Sequence, residues 1–146
     1  MLIRWRWWLC GSLVVLLVAI VFLRGGGPKR TTVTGTISGK AVAAKLKEKL
    51  PYKGAASPVR IVFVPEDTET FKQDGPSQAV VKQDGSFRVP GPDGKGLRPG
   101  SYKVAIAVVA GGSDLLRGRY NESNSTIIRT VGETSENFEI DLDTGQ

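Results

Sequence analysis

The stretch Val59-Arg60-Ile61-Val62-Phe63-Val64 (VRIVFV) is the part of the sequence that decides the fold. Branched and aromatic side chains dominate it, and such residues favour the pleated, partly buried surface of a β-sheet. Pro65 follows directly, and a proline cannot donate to the hydrogen-bond ladder of a strand. The stretch therefore predicts a buried β-strand that closes at Pro65.

Six further segments of similar character surround this strand. The pair Asp84-Gly85 links two of them and is a strong signal for a β-hairpin, and Pro99-Gly100 predicts a turn before another. Seven short strands separated by turns are typical of a β-sandwich rather than of alternating strand and helix units. The predicted strands are Thr31–Ser38, Val59–Val64, Gln78–Gln83, Ser86–Val89, Tyr102–Val109, Thr126–Val131 and Asn137–Leu142.

One segment departs from the strand pattern. Val42, Leu46 and Leu50 recur at a helical spacing among lysines, which predicts a short amphipathic helical insertion ended by Pro51. A lysine-rich loop lying over one end of the sheets is the alternative. The lysines are interpreted as a solvated face.

The N-terminal block Trp7–Leu23 is uniformly apolar and contains 17 residues without a charge. At about 1.5 Å per residue, a helix of this length spans about 26 Å, which suits a thin hydrocarbon layer. Residues 1–24 are therefore predicted to form one transmembrane helix. A collar of basic and aromatic residues is predicted to lie at the membrane interface, namely Arg4, Trp5, Arg6, Trp7 and Trp8.

The residues at the C-terminal end of this block favour a retained signal-anchor over a cleaved signal. Bulky Phe22 and Leu23 precede Arg24, whereas a cleavage site needs small residues, although a cleaved secretory signal is the alternative. Basic residues flank the block almost equally, so they do not fix its orientation. The short N-terminal flank and the signal-like layout favour a C-terminal part outside the cytoplasm.

The composition limits the chemistry of the remainder. Residues 25–30 (GGGPKR) are predicted to be a flexible tether, 31–142 one sandwich domain and 143–146 a tail. The chain has no histidine and one cysteine, Cys10, so histidine-dependent catalytic triads and common zinc sites are excluded from the domain. The part beyond position 30 carries nearly balanced charge, which is not the pattern of a nucleic-acid-binding surface. We expect no cofactor and no bound metal.

The order of these signals resembles the carboxypeptidase-regulatory-like, transthyretin-like β-sandwich of bacterial envelope proteins. The resemblance implies an all-β, seven-stranded antiparallel Greek-key sandwich of transthyretin-like or immunoglobulin-like type, with Phe87 inward and the Tyr102 ring buried. It covers about residues 31–142, and the helical insertion departs from the family pattern. The matching segments are 33–37 (VTGTI), 54–55 (GA), 59–65 (VRIVFVP), 84–87 (DGSF), 97–104 (LRPGSYKV) and the closing part 120–142.

The sequence favours a binding or structural role over catalysis. Paired carboxylates can serve a glycosidase, but Glu66, Asp67 and Glu69 are interpreted as a solvated loop, and Asp141 and Asp143 as the polar positions at a strand end. We therefore expect no enzyme activity. The predicted role is a structural or protein-interaction module of the cell envelope, with the membrane and an unidentified protein or cell-wall glycan as partners.

Two alternatives remain open at this point. The first is a carbohydrate- or peptidoglycan-binding module, for which the ligand-facing candidates are the aromatic residues Tyr52, Phe71 and Tyr120. The second is an accessory subunit held by its transmembrane helix against a larger membrane complex. Addition of a partner strand to an open sheet edge is a further mode of binding, which Pro65 and Pro90 would partly prevent.

Overall fold

The computed structural model describes residues 29–47 and 57–144. This part of the chain is mostly β-sheet, with nine strands in two sheets and two short helices, which agrees with the predicted all-β sandwich. The predicted anchor at 1–24, its collar from Arg4 to Trp8, and Tyr52 lie outside the described residues. Neither helix in the described part of the chain is long and apolar enough to cross a membrane.

The elements follow one another in a chain order dominated by strands. Their bounds are β1 Val33–Ser38, α1 Lys40–Leu46, β2 Val59–Pro65, α2 Thr68–Asp74, β3 Ser77–Gln78, β4 Val80–Val81, β5 Ser86–Val89, β6 Gly100–Ala110, β7 Ser113–Asp114, β8 Ile128–Val131 and β9 Glu136–Asp141.

The first sheet has the strand order β4-β5-β1-β9. β1 pairs with β5 in antiparallel and with β9 in parallel orientation. The parallel pair corrects the prediction of a wholly antiparallel sandwich. It arises because β8 belongs to the other sheet, so the chain crosses between the sheets at 132–135 and then runs alongside β1.

The second sheet has the order β3-β2-β6-β7, and β8 pairs with the beginning of the long strand β6. β2 is an interior strand, in register with β6 from Val59 opposite Val108 to Pro65 opposite Tyr102. Its inward residues Val59, Ile61 and Phe63 are at most 2% exposed. The prediction of a buried strand at VRIVFV is confirmed.

The predicted strand Gln78–Gln83 is divided between the two sheets. β3 pairs with β2, β4 pairs with β5, and Ala79 lies between them with its N–H donated to the Ile61 carbonyl at 2.8 Å. A change of sheet inside a continuous segment needs no turn residue, so no sequence signal marks it. Together with the two-residue strand β7, this division accounts for nine strands instead of seven.

The centre of the core is an aromatic cluster built around Gly35. Gly35 has Phe87 and Phe138 as its register partners on the two neighbouring strands. Phe63, from the other sheet, packs against both rings with centroid distances of 6.2 and 6.3 Å. A glycine in a strand leaves space for close approach of its neighbours, and here that space is filled by the two rings.

The predicted helical insertion is confirmed over Lys40–Leu46, which removes the loop alternative for these residues. Val42 is buried and Leu46 packs against the core, as the helical spacing requires. The Asp143 carboxylate accepts the Lys40 N–H at 3.2 Å, so a residue assigned to the tail contacts the domain. Leu50 lies outside the described residues.

The second helix, α2, replaces the solvated loop that the acidic residues suggested. The Asp67 carboxylate caps the helix by accepting the Thr70 N–H at 2.7 Å. Gly75 follows the last turn with a φ of 63°, and Pro76 comes next. An N-cap acid and a terminal Gly-Pro pair are helix boundary signals, so the sequence contained the information for this helix.

The turn predicted at Asp84-Gly85 is confirmed, whereas at Pro99-Gly100 the chain bends at Pro99 and enters β6 directly at Gly100. Gly85 has a φ of 83°, and a Cβ there would lie 2.7 Å from the Ile37 carbonyl oxygen, so the β4–β5 hairpin needs glycine at this position. Phe87 is buried, as the resemblance implied. Tyr102 is also buried, and its hydroxyl donates to the Arg98 carbonyl at 3.0 Å. Burial, followed by the negative charge of Asp74, raises the pKa of Tyr102.

Asp114 organises the loop that follows β7. Its carboxylate accepts the N–H groups of Val108, Leu116 and Gly118 at 3.1, 3.0 and 2.8 Å. Burial by itself raises the pKa of Asp114, but these three donors outweigh burial and the pKa is lowered. The loop holds Leu116 against the core while Leu115 is exposed, so only one of these neighbours reaches the core edge.

Replacing Asp114 by asparagine is expected to lower the free energy of unfolding at neutral pH by about 2 kcal/mol, because the charge-assisted hydrogen bonds are lost. A carboxyl whose pKa is lower in the folded chain stabilises the fold above its unfolded pKa of about 3.9. That contribution disappears as the pH falls through the folded pKa. Urea denaturation should give a constant difference between wild type and Asp114→Asn above about pH 5 and a shrinking one below about pH 4. A pH-independent difference would contradict this role of the charge.

Candidate functional site

A groove of about 360 Å³ lies on the outer face of the second sheet. Val62, Ala105 and Ala107 form its floor, Arg60 forms one side, and the turn at 121–123 forms the other. Val62 is opposite Ala105, and Arg60 is opposite Ala107, in the β2–β6 register. Because side chains alternate along a strand, these residues share the outer face, and the two alanines leave the space that makes the groove.

The polar wall of the groove is held in place by turn chemistry. The Asn121 side-chain oxygen accepts the N–H groups of Ser123 and Asn124 at 3.1 and 2.8 Å. The Asn124 side-chain amide donates to the Gly118 carbonyl at 3.0 Å. The Ile106 N–H donates to the Tyr120 carbonyl at 2.7 Å, which fastens this turn to β6. The wall is therefore fixed relative to the floor.

The groove combines an apolar floor with a cation, a carboxylate, an amide and a hydroxyl at its rim. Arg60 supplies the cation and Glu122 the carboxylate, while Asn121 and Ser123 supply the neutral polar groups. Such a surface recognises a ligand by hydrogen bonds and ion pairs around a contact area that excludes water. The alternation of alanine in YKVAIAVV was the signal in the sequence for this small-residue face.

The aromatic residues proposed from the sequence to face a ligand do not come together at this groove. Phe71 is on α2 and is 46% exposed, but it is not among the residues that line the groove. Tyr120 is only 4% exposed, and its hydroxyl donates to the Leu142 carbonyl at 3.2 Å. The prediction of Tyr120 as a ligand-facing residue is therefore wrong, because its ring fills the core beneath the loop. Tyr52 lies outside the described residues.

Four of the five carboxylates considered for catalysis, all except Glu66, have structural partners among the described residues. Asp67 caps α2, and Glu69 forms an ion pair with Lys72 at 3.2 Å on the same helix. Asp141 accepts the N–H of Asp143, whose own carboxylate accepts the first N–H of α1. Hydrogen bonds from Thr70 lower the pKa of Asp67. Across residues 29–47 and 57–144, the structure shows no cluster of three acidic, cysteine or histidine residues placed to hold a metal ion.

A buried ion cluster joins the start of the domain to the end of α2, and sequence reasoning missed it. Arg30 donates to both carboxylate oxygens of Asp74, at 3.0 and 2.9 Å, and their side chains are 10% and 8% exposed. Arg98 Nε lies 2.9 Å from Asp74 Oδ2, but its N–H is not aimed at that oxygen, so this contact is electrostatic and not a hydrogen bond. Arg30 was assigned to the tether, whereas the structure places it in the domain.

Comparisons with protein-family models, with curated proteins and with solved structures found no match for this chain.

Proposed function

We propose that this protein is a membrane-anchored, extracytoplasmic, non-catalytic β-sandwich that serves as a structural or protein-interaction module of the cell envelope. The observation that carries the proposal is the groove between Arg60 and Glu122, with its apolar floor and polar rim. Protein contact surfaces combine a water-excluding centre with a polar rim in the same way. The structural use of Asp67, Glu69 and Asp143 as caps and ion-pair partners supports a binding role over catalysis.

The finer fold proposal is a transthyretin-like, carboxypeptidase-regulatory-like Greek-key sandwich. The hairpin at Asp84-Gly85, the inward Phe87 and the buried Tyr102 support it, since each occupies the place in the fold that the resemblance implies. The parallel β1–β9 pair and the helix α1 are the two features that differ from the pattern that the resemblance implies.

Carbohydrate or peptidoglycan binding is the second candidate function. The groove offers polar groups that could bond sugar hydroxyls, but no aromatic side chain among the described residues lines it, and Tyr120 is buried. Sugar sites of sandwiches usually stack a ring against the sugar, so the described surface favours a protein partner. An accessory subunit of a membrane complex is the third candidate. It differs from the first two because residues 1–24, and not the sandwich, would contact the partner.

A photo-crosslinking amino acid at Ala107, on the groove floor, tests the proposal in intact cells that carry the full-length chain. We expect a crosslinked product of defined mass that disappears when Arg60→Glu is added. The matched control places the crosslinker at Gln83, which is exposed in the β4–β5 hairpin turn. Equal products from both positions, or none from Ala107, would contradict a protein contact at the groove. Products that vanish when only residues 1–24 are exchanged would favour the accessory subunit.

A further inference from the structure

β9 is the edge strand of the first sheet, with β1 on one side and no strand on the other among the described residues. The N–H groups of Glu136 and Leu142 donate to the Thr32 and Ser38 carbonyls, which fixes the direction of the ladder. In a parallel pair, alternate residues bond to the neighbouring strand. The backbone groups of Asn137, Glu139 and Asp141 therefore point away from the sheet.

These outward backbone groups can accept another strand. An edge strand presents a row of N–H and C=O groups that matches the row of an extended peptide, and many recognition domains bind peptides by strand addition. Pro65 and Pro90 were expected to protect such edges, but Pro65 ends the interior strand β2 and Pro90 follows the interior strand β5. Neither proline blocks β9.

The charge along this edge indicates the kind of strand that fits. Residues 133 to 143 contain five acidic residues and no lysine or arginine. Glu133 is paired with Lys29, and Asp141 and Asp143 accept backbone N–H groups. Glu139, at the middle of the free edge, makes no ion pair with any residue in the described part of the chain and is exposed. A partner strand with basic side chains would complement this charge.

Two side chains cover part of the edge in the free protein. The Arg129 side chain donates to the carbonyl of the preceding residue, Ile128, at 3.0 Å and to the Glu139 carbonyl at 3.4 Å. It therefore spans from β8 in one sheet to β9 in the other. Thr144 donates to the Asp141 carbonyl at 3.4 Å. The two contacts on the β9 edge, with the Glu139 and Asp141 carbonyls, are long and exposed. An incoming strand can replace them with regular ladder hydrogen bonds.

A second copy of this chain is a poor occupant of the edge. An antiparallel pair of β9 strands centred on Glu139 would set that carboxylate opposite its own copy, and like charges directly opposite are destabilising. We propose that the β9 edge is a docking surface for an extended, lysine- or arginine-rich segment of a partner protein, which adds a fifth strand to the first sheet. This inference rests on the proposed interaction role and assigns it a second surface, distinct from the groove.

The test uses the full-length protein in mild detergent and a fluorescein-labelled peptide of about twelve residues that alternates lysine and valine. A control peptide of the same charge carries two prolines in the middle, which prevent strand pairing. We expect measurable binding of the first peptide by fluorescence anisotropy and about tenfold weaker binding of the second. Equal affinities would show charge attraction without strand addition and would overturn the proposal.

Three variants locate the binding on the chain. Glu139→Lys should weaken binding of the alternating peptide about tenfold, whereas Glu69→Lys, the same charge change at an exposed site on α2, should weaken it less than twofold. Arg129→Ala should tighten binding of the alternating peptide several-fold, because it frees the Glu139 carbonyl and removes a positive charge that repels the peptide's lysines. Equal effects of the two Glu→Lys changes would overturn the edge assignment. If the peptide tests failed while the Arg60-dependent crosslink at Ala107 still formed, this inference would fall and the proposed function would stand.

Discussion

Replacing Asp74 by alanine is expected to lower the free energy of unfolding by about 4 kcal/mol. The carboxylate lies between the guanidinium groups of Arg30 and Arg98 at distances of 2.9 to 3.0 Å, and it is nearly buried. Removing it leaves two cations facing each other with little water, which costs far more than the loss of a surface ion pair. Asp74 also ends α2, where a negative charge is unfavourable, so the arginines are needed to hold it there.

The matched control for this prediction is Asp93→Ala. Asp93 also contacts Arg30, at 3.4 Å, but its side chain is 61% exposed. We expect Asp93→Ala to change the free energy of unfolding by less than about 1 kcal/mol, as for other exposed ion pairs. Urea denaturation followed by circular dichroism measures both variants. If Asp74→Ala and Asp93→Ala lowered the free energy of unfolding by similar amounts, burial of the ion cluster would not be the reason that it stabilises the fold.

The second large effect is expected at Gly35. A Cβ at this position would lie closer than van der Waals contact to the Phe138 carbonyl oxygen and to the Phe87 ring. The ring can shift, but the carbonyl belongs to the neighbouring strand and cannot move without breaking the β1–β9 pairing. Gly35→Ala is therefore expected to destabilise the domain by about 3 kcal/mol, at the upper end of overpacking effects.

Thr36→Val is the control for Gly35→Ala, because Thr36 is the next residue on β1 and is exposed on the opposite face. We expect a change within about 0.5 kcal/mol for this surface substitution. Thermal unfolding of the two variants beside the wild type measures the contrast. A Gly35→Ala protein as stable as Thr36→Val would mean that β1 does not lie between Phe87 and Phe138.

The parts of the fold that the sequence predicted depend on local patterns. VRIVFV and the alternation in residues 33–37 predicted buried strands because burial on a sheet repeats every second residue. Asp84-Gly85 predicted a hairpin because glycine tolerates the φ of 83° that the turn requires. These signals need only neighbouring residues, so they can be read without knowing the fold.

The parts that the sequence did not predict depend on residues far apart in the chain. Arg30 and Asp74 are separated by 44 positions, and nothing near either residue marks the other as its partner. Tyr120 resembles a loop aromatic in the sequence, and only the position of Leu142 shows that the ring lies inside the core. The groove likewise needs the β2–β6 register, which sets the small residues Ala105 and Ala107 opposite Val62 and Arg60.

The most direct test of the account is the side of the membrane on which the sandwich lies. Cys10 is the single cysteine, so a Cys10→Ser, Lys72→Cys chain carries one thiol on α2, at a side chain that is 65% exposed. A membrane-impermeant maleimide is added to intact and to permeabilised cells, and the labelled fraction is compared. The account predicts equal labelling in both. Labelling that appears only after permeabilisation would place the sandwich in the cytoplasm and contradict an envelope role.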